Sequence, residues 1–434
     1  MQFYVETYGC AANEFDSLII SSLLEKEGWK RSDLDKADLI IVNTCGVKKP
    51  TEDKILYRLK ELKSLGKPIL VAGCLTRINP KGLEEVGFNV AIDVNSINKV
   101  NEAAMYALKG AFNKFILSEQ RFDKPSLLEK KLTETIGVVE IQEGCAYNCT
   151  FCSTKLSRNG VYSFPDSSIV RAVSNLIKSG AVEIWLTGQD VAAYRYNSKD
   201  LADLINEISS VESYFKVRVG MSTPPFFKLI SKKLLNAFPE KVYQFFHIPV
   251  QSGSDRVLFD MKRGYKASLF VELVEEIRSK MPMATIETDI IVGYPTESED
   301  DFEETIKLLL KTRPNVVNIS KFWKRPNTEA AKLKELDSKV VARRSKEAYE
   351  TVLKIMKEEN EKWLGWEGEV LVTEHGEKKD TWKGRNFAYK VVVISDSEKN
   401  LLGKRVWVKV NSADSINLYA EPIYVVEEKA EAKY

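Results

Sequence analysis

The sequence predicts an α/β protein that carries a small all-β barrel toward its C-terminal end. Three observations carry this expectation. Apolar runs of strand length alternate with amphipathic helical stretches from QFYVETYGC through NVVNISKFWKRP. Several of these runs, such as ADLIIVNTC and KPILVAGC, are continuous rather than alternating, which is the pattern of parallel strands buried on both faces. After Gly365 the texture changes to short strands separated by turns: EGEVLVTEHG, NFAYKVVVIS, LLGKRVWVKV and INLYAEPIYVV.

Taken in order, QFYVETYGC reads as a strand and NEFDSLIISSLLEKEGW as an amphipathic helix with Asn13 as its N-cap. ADLIIVNTC is a buried strand, residues 51–65 are helical, and KPILVAGC is a further buried strand. This is a small parallel α/β domain, expected over residues 1–110. Residues 111–135 read as a polar connector. A longer series follows, with strands in TIGVVEIQEGC, VEIWLTGQD, FKVRVGMSTP, VYQFFHIPVQSG, ATIETDIIVGYP and NVVNISKFWKRP. Helical stretches such as SSIVRAVSNLIKSG and DDFEETIKLLLKT separate them. Six βα units predict a full or partial (β/α)6 TIM-like barrel over residues 131–362, with chemistry at the C-terminal strand ends. A charged helix from Ser338 leads into the small β-barrel, residues 363–427, and the tail EEKAEAKY reads as disordered.

The chain has 434 residues, 44% hydrophobic and 29% charged, with a net charge of +2. That length calls for several domains, and the charge balance excludes a globally basic nucleic-acid surface, so any RNA binding rests on local patches. MQFYVETYGC shows no charged n-region and apolar h-region, and no run approaches the roughly 18 apolar residues of a membrane span. A cytoplasmic location with no membrane contact is expected. Six cysteines in a chain this long do not make a disulfide scaffold, so metal or redox chemistry leads.

Three of the six, Cys145, Cys149 and Cys152, stand as C-x3-C-x2-C directly after the first barrel strand. The others, Cys10, Cys45 and Cys74, each end a strand of the N-terminal domain, and parallel strand ends share one edge. The alternative for these three is that they are small apolar core residues. Zinc usually takes two cysteine pairs or cysteine with histidine, and the two histidines, His247 and His375, lie far away in sequence. An iron–sulfur cluster on three cysteines leaves one iron open for another ligand.

With its C-x3-C-x2-C motif at this place, the chain resembles the radical S-adenosylmethionine superfamily. Over nearly its whole length it resembles the methylthiotransferases of that superfamily. The residues that carry the resemblance are ETYGCAANEFDS, VNTCGVK, AGCL, EGCAYNCTFCSTKLSR, LTGQDVAAY, HIPVQSGSDRVLFDMKRGY and DIIVGYPTE, followed by a β-barrel that looks like a TRAM domain. The resemblance implies that Cys145, Cys149 and Cys152 hold a 4Fe–4S cluster whose fourth iron is chelated by S-adenosylmethionine. Reductive cleavage would yield a 5′-deoxyadenosyl radical. It also implies that Cys10, Cys45 and Cys74 hold a second 4Fe–4S cluster carrying the sulfur to be methylated and inserted. An electron donor and a sulfur donor are implied as partners.

By the same resemblance Thr187, Gly188, Gln189 and Asp190 bind the methionine end of the cofactor. Ser222 and Thr223 end the third strand, Gln251 and Ser252 reach toward ribose or carboxylate, and Ile291 in DIIVGY touches adenine. Each such strand-end polar residue could instead cap the following helix. His247 reads as a satisfied core histidine, and Glu297 as a first-turn acid of the next helix.

Members of the family modify N6-isopentenyladenosine or N6-threonylcarbamoyladenosine at tRNA position 37, or a ribosomal-protein aspartate. STKLSRNG, LTGQDVAAY and ISKFWKRPNTEAAKL resemble the archaeal and eukaryotic threonylcarbamoyl branch. Asn159 and Asn327 stand where that pattern has glycine. A cation just past the triplet, Lys155 or Arg158, is a fitting partner for the threonylcarbamoyl carboxylate, against a solvated loop charge as the alternative. Lys383, Arg385, Lys390, Lys404, Arg405 and Lys409, interleaved with Trp382, Phe387, Tyr389 and Trp407, are candidates for binding tRNA. The competing class is a non-catalytic two-cluster protein that binds RNA and relays electrons.

Overall fold

The computed structural model describes residues 1–129, 135–395 and 400–426. The domain boundary expected at residue 131 and the tail EEKAEAKY lie outside the described residues. The first sheet has six parallel strands in the order β2-β1-β3-β4-β5-β6. They are β1 (Gln2–Thr7), β2 (Lys30–Arg31), β3 (Leu39–Thr44), β4 (Ile69–Gly73), β5 (Val90–Ile92) and β6 (Lys114–Ile116). Every residue of β3, β4 and β5 is buried, as their unbroken apolar runs require. The sheet continues into the stretch read as a polar connector, because β6 pairs with β5 there. Lys124 in the same stretch is buried.

Helix α1 (Ala11–Lys26) starts one turn earlier than an Asn13 cap requires. Cys10 is its N-cap, and Asn13 lies inside the helix, fully buried. Helix α2 spans Lys49–Lys63, two residues ahead of the expected start, because Pro50 suits a first turn where no backbone donor is needed.

The central domain has six parallel strands, β7 (Ile136–Glu140), β10 (Glu183–Thr187), β13 (Lys216–Val219), β14 (Phe245–His247), β15 (Thr285–Val292) and β16 (Val316–Lys321). Two short ribbons sit in their loops: β8 (Gln142–Glu143) with β9 (Tyr162–Ser163), and β11 (Arg195–Tyr196) with β12 (Lys199–Asp200). The six form sheets β13-β10-β7 and β14-β15-β16, joined by a parallel bridge between Val217 and Val242. Among the described residues β7 and β16 do not pair, so the barrel is partial. Helix α1 packs on β7, and one apolar core runs from Phe15 and Ile19 through Val138 and Val139 into the barrel.

The last domain is a closed five-stranded barrel of β17 (Glu367–His375), β18 (Thr381–Arg385), β19 (Val391–Ser395), β20 (Arg405–Ala413) and β21 (Leu418–Val425). Strand β18 was not among the four expected. Its TWKGR alternates toward and away from the core, but two cations and a glycine hide that period in the sequence. No helix of the described residues is long and apolar enough to cross a membrane.

Candidate functional site

Both cysteine triplets sit at C-terminal strand ends and meet. Cys10, Cys45 and Cys74 follow β1, β3 and β4. The Asn13 side chain lies among them. Its Oδ1 is 3.7 Å from Cys10 Sγ and 3.9 Å from Cys74 Sγ, and its Nδ2 donates to Thr44 O at 2.8 Å and Tyr8 O at 3.1 Å. Asn13 therefore ties β1, α1 and β3 together at the thiols, a role its cap-like sequence position conceals.

The second triplet is framed by tight turns. Gly144 has φ +78°, and a Cβ there would run into the Gly160 carbonyl. Gly144 N–H donates to Gln189 Oε1 at 2.6 Å, and Asp190 N–H donates to Gln142 Oε1 at 3.2 Å. Asp190 Oδ1 and Oδ2 accept from Thr223 N–H at 3.0 Å and Thr223 Oγ1 at 2.6 Å. Burial raises the Asp190 carboxyl to about 6, against those bonds. Gln189 and Asp190 thus spend their side chains on bracing the cysteine loop and the next strand end. Burial also pushes the thiols of Cys145 to about 12 and Cys45 to about 11.

The two loops are stitched at Gly46. Its carbonyl accepts from Ser153 Oγ at 3.0 Å and from Arg325 Nη2 at 2.8 Å. Ser153 follows Cys152 and Gly46 follows Cys45, so one hydrogen bond joins a residue beside each triplet. A cavity of about 600 Å³ opens beside this junction, lined by Lys48, Cys152, His247, Gln251, Ile291 and Trp323. That volume suits a bound nucleoside or cofactor. Gln251 enters it from a left-handed backbone, φ +74°. Ser222 is buried next to His247, its N–H donating to His247 O at 2.9 Å, and Thr187 and Gly188 lie at the end of β10.

His247 lines the cavity rather than a closed core. Its Nε2 is 3.2 Å from Asp289 Oδ2 and 3.8 Å from Glu287 Oε1. Asn318 Nδ2 donates to both acids at 2.8 Å. Burial pulls the His247 pKa down, but Asp289 and Glu287 outweigh it and the net shift is upward. Burial pushes the Asp289 carboxyl up, but the bond and charge of His247, the Asn318 bond and the charge of Lys48 together hold it below its ordinary value. Glu297 is not in the first turn of the next helix, which begins at Glu299. It accepts from Tyr294 N–H at 3.2 Å and pairs with Arg344 at 3.2 Å, and burial raises it to about 7.

Arg158 corrects an expectation. It is 2% exposed and meets Asp16, Glu140 at 2.9 Å and Glu143 at 2.5 Å, with Lys124 on the same three acids. A guanidinium so committed cannot also receive a substrate carboxylate. Lys155 stays half-buried, its Nζ 3.3 Å from Asn148 Oδ1.

The basic residues of the small barrel divide. Lys390 is buried and donates to Asn360 Oδ1 at 2.8 Å, fastening the barrel to helix Ser338–Glu361. Tyr389 packs on Tyr243 and Phe245 and donates to Glu183 at 3.2 Å, plugging the bottom of the central barrel with Arg385 beside it. Arg405 pairs with Glu369 and lies over the Tyr214 ring. Lys390, Arg385 and Arg405 therefore face the domain junction. Lys383 pairs with the exposed Glu377, and Lys404 is exposed. Trp382 is core, Phe387 packs on Trp363, and Trp407 stacks on the half-exposed Tyr424 at 6.0 Å.

The donor sets discriminate between an ion and a cluster. Three thiolates on one zinc lie about 3.8 Å apart, from bonds of about 2.3 Å in a tetrahedron. Among the described residues one group of three donors closes within 4.8 Å, namely His247, Glu287 and Asp289, and neither cysteine triplet does. Neither triplet is closed on a single ion, and cysteine thiolate is the donor that iron–sulfur clusters take, so three-thiol sets suit a cluster better than one zinc.

A family model described as Radical SAM superfamily matches residues 139–309, and one described as Uncharacterized protein family UPF0004 matches residues 2–94. The chain is 36% identical, over 97% of its length and 99% of the relative's, to a probable threonylcarbamoyladenosine tRNA methylthiotransferase of Methanothermobacter thermautotrophicus. It is 38% identical to a protein of the same name from Archaeoglobus fulgidus, over 94% and 96% of the two chains. A tRNA-2-methylthio-N(6)-dimethylallyladenosine synthase of Thermosipho africanus is 32% identical over 98% and 100%. Among solved structures, the radical S-adenosylmethionine methyltransferase TsrM of Kitasatospora setae superposes with a TM-score of 0.58 at 12% identity, over 76% of this chain and 74% of that one, which shows the shared fold. With the central triplet at the barrel mouth and full-length similarity above 35%, the chain belongs to the methylthiotransferase family of radical S-adenosylmethionine enzymes.

Proposed function

We propose that the protein adds a methylthio group to C2 of N6-threonylcarbamoyladenosine, just 3′ of the anticodon in tRNA. The observation that carries this is the junction at Gly46, where the loop after Cys45 is bonded to the loop after Cys152 and the two border one cavity through Val47, Lys48, Cys152 and Ser153. Cys145, Cys149 and Cys152 would hold a 4Fe–4S cluster, which would supply the one-electron reduction that S-adenosylmethionine cleavage needs. Cys10, Cys45 and Cys74 would hold a second cluster, which would supply a site for the sulfur to be transferred. Gln251, Ile291, Ser222 and the Thr187–Gly188 turn bind the cofactor, while Gln189 and Asp190 hold the turn in shape. The target base enters beside Trp323, a residue 46% exposed that lines the cavity. Lys155 and the cavity lysine Lys48 receive the carboxylate of the threonylcarbamoyl group. Lys383 and Lys404 contact the tRNA backbone, with Trp407 and Tyr424 as a stacking surface. An external electron donor and sulfur donor complete the cycle.

The test is anaerobic. The enzyme with both clusters reconstituted is given reductant, sulfide and S-adenosylmethionine, with tRNA carrying threonylcarbamoyladenosine beside tRNA carrying isopentenyladenosine. Nucleosides are then weighed. A methylthio adduct on the threonylcarbamoyl nucleoside alone is expected. An adduct on the isopentenyl nucleoside alone overturns the substrate, and 5′-deoxyadenosine with no adduct overturns the transfer. Lys155→Ala should weaken the substrate tRNA more than it slows cofactor cleavage. Truncation after Gly365 should flatten the salt dependence of tRNA affinity.

A further inference from the structure

Arginines buried in this fold meet carboxylates. Arg158 meets three, Arg325 pairs with Glu52, and Arg344 pairs with Glu297 and Glu299. Arg263 is the exception. It is 5% exposed, and among the described residues no carboxylate lies within ion-pair distance of it. Its Nη2 donates to Pro249 O at 2.9 Å and to Tyr265 OH at 3.2 Å, and its Nε to the same hydroxyl at 3.2 Å. Its remaining arm, Nη1, points at Cys149 Sγ, 3.4 Å away. Asp190 feels the charge but gives both oxygens to Thr223.

A buried cation without a counter-charge costs several kcal/mol. The local backbone is bent to keep it there. Lys262 before it has φ +58° and Gly264 after it φ +72°, a turn in which a non-glycine residue occupies the left-handed region. Tyr265 OH also reaches Val250 O at 2.9 Å, so the guanidinium plane is fixed from two sides. Cys149 is itself buried, 6% exposed, so the sulfur and the guanidinium face each other shielded from bulk solvent.

We infer that Arg263 is a positioning residue that sets the reduction potential of the cluster held by Cys145, Cys149 and Cys152, through a charged hydrogen bond to the Cys149 sulfur. The inference rests on the reading of that triplet as a cluster site. Reduction adds one electron to an anionic group, and a fixed positive charge with an N–H aimed at a ligand sulfur stabilises the reduced state more than the oxidised one. The guanidinium thereby makes the cluster easier to reduce. The counter-charge that the fold withholds from Arg263 is the thiolate of the cluster itself. Tyr265 and Pro249 hold the arm so that no proton needs to move when the electron arrives.

The test compares wild type, Arg263→Lys and Arg263→Met, each also in a background lacking Cys10, Cys45 and Cys74, so that a single cluster is read. Cluster reduction is followed by electron paramagnetic resonance in a potentiometric titration. Arg263→Met should shift the midpoint to a more negative potential, with Arg263→Lys in between. The auxiliary cluster, read in a Cys145/Cys149/Cys152 knockout carrying Arg263→Met, should be unmoved. Binding of S-adenosylmethionine, read from its perturbation of the cluster signal, should be retained. An unshifted midpoint overturns the inference. So does an equal shift at both clusters, or loss of iron from Arg263→Met and Arg263→Lys alike, because these mark a merely structural arginine. A wild-type protein that loads no iron at Cys145, Cys149 and Cys152 fails the underlying reading instead, and the inference with it.

Discussion

Replacing Arg158 by alanine removes one of two cations that neutralise three buried carboxylates. Asp16 comes from α1, Lys124 from the segment after β6, Glu140 and Glu143 from β7 and β8, and Arg158 from the loop after the central triplet. The cluster therefore pins the first domain to the barrel at the wall between the two triplets. In the variant Lys124 alone faces the acids, at 2.8, 3.4 and 3.0 Å. Removing one partner of a buried ion pair costs about 3–5 kcal/mol. Burial, with Glu143 and Asp16 adding to it and the two cations opposing, raises the Glu140 carboxyl to about 7, so this site can take up a proton near neutrality. A raised acid adds stability that is fully present below its ordinary value of 4.5 and is lost as pH rises through about 7. The penalty of Arg158→Ala should thus be near its full size at pH 8 and smaller at pH 6, where Glu140 carries its proton. Denaturant unfolding followed by tryptophan fluorescence reads it as a shift in the midpoint of the first transition. A change below about 0.5 kcal/mol at pH 8, the range of an ordinary surface substitution, would refute the reasoning. Refutation would be complete if the same variant lost discrimination for the carboxylate-bearing tRNA base, because Arg158 would then be a substrate contact.

Gly144→Ala should unfold the central cysteine loop, through its left-handed φ and the collision with the Gly160 carbonyl. Iron bound at that triplet should fall to near zero while the auxiliary cluster loads normally, as iron analysis and electron paramagnetic resonance will read. Cys74→Ala should remove about half of the iron and abolish methylthio transfer, while leaving reductive formation of 5′-deoxyadenosine measurable by chromatography. The His247–Asp289 pair should stabilise the fold in a defined window. Asp289 contributes above its ordinary value of 3.8 and loses this as pH falls through its lowered one, and His247 contributes below 6.5 and loses this as pH rises through its raised one. The difference in stability between wild type and His247→Gln should accordingly be largest from pH 4 to 6.5 and shrink above it. A difference that grows toward pH 9 would show the ring acting neutral.

The sequence by itself determined the three-domain order, the parallel strands and the six cysteines at strand ends. It could do so because continuous apolar runs report burial on both faces, and thiols at strand ends fall on one edge whatever the details of packing. It could not show that the two edges meet. The Ser153–Gly46 bond spans 107 positions, and nothing local in either loop marks its partner. The same limit hid β18, whose barrel place depends on neighbours on both sides, and misplaced Asn13, which looks like a cap but serves as a bracket among thiols. Charges were least legible of all. Lys390, Arg158 and Lys124 read in the sequence like any solvated cation, yet each is buried against a partner between 15 and 142 positions away. A charge owes its role to what surrounds it, through desolvation and pairing at a few ångströms, and only the tertiary structure decides which distant groups come that close.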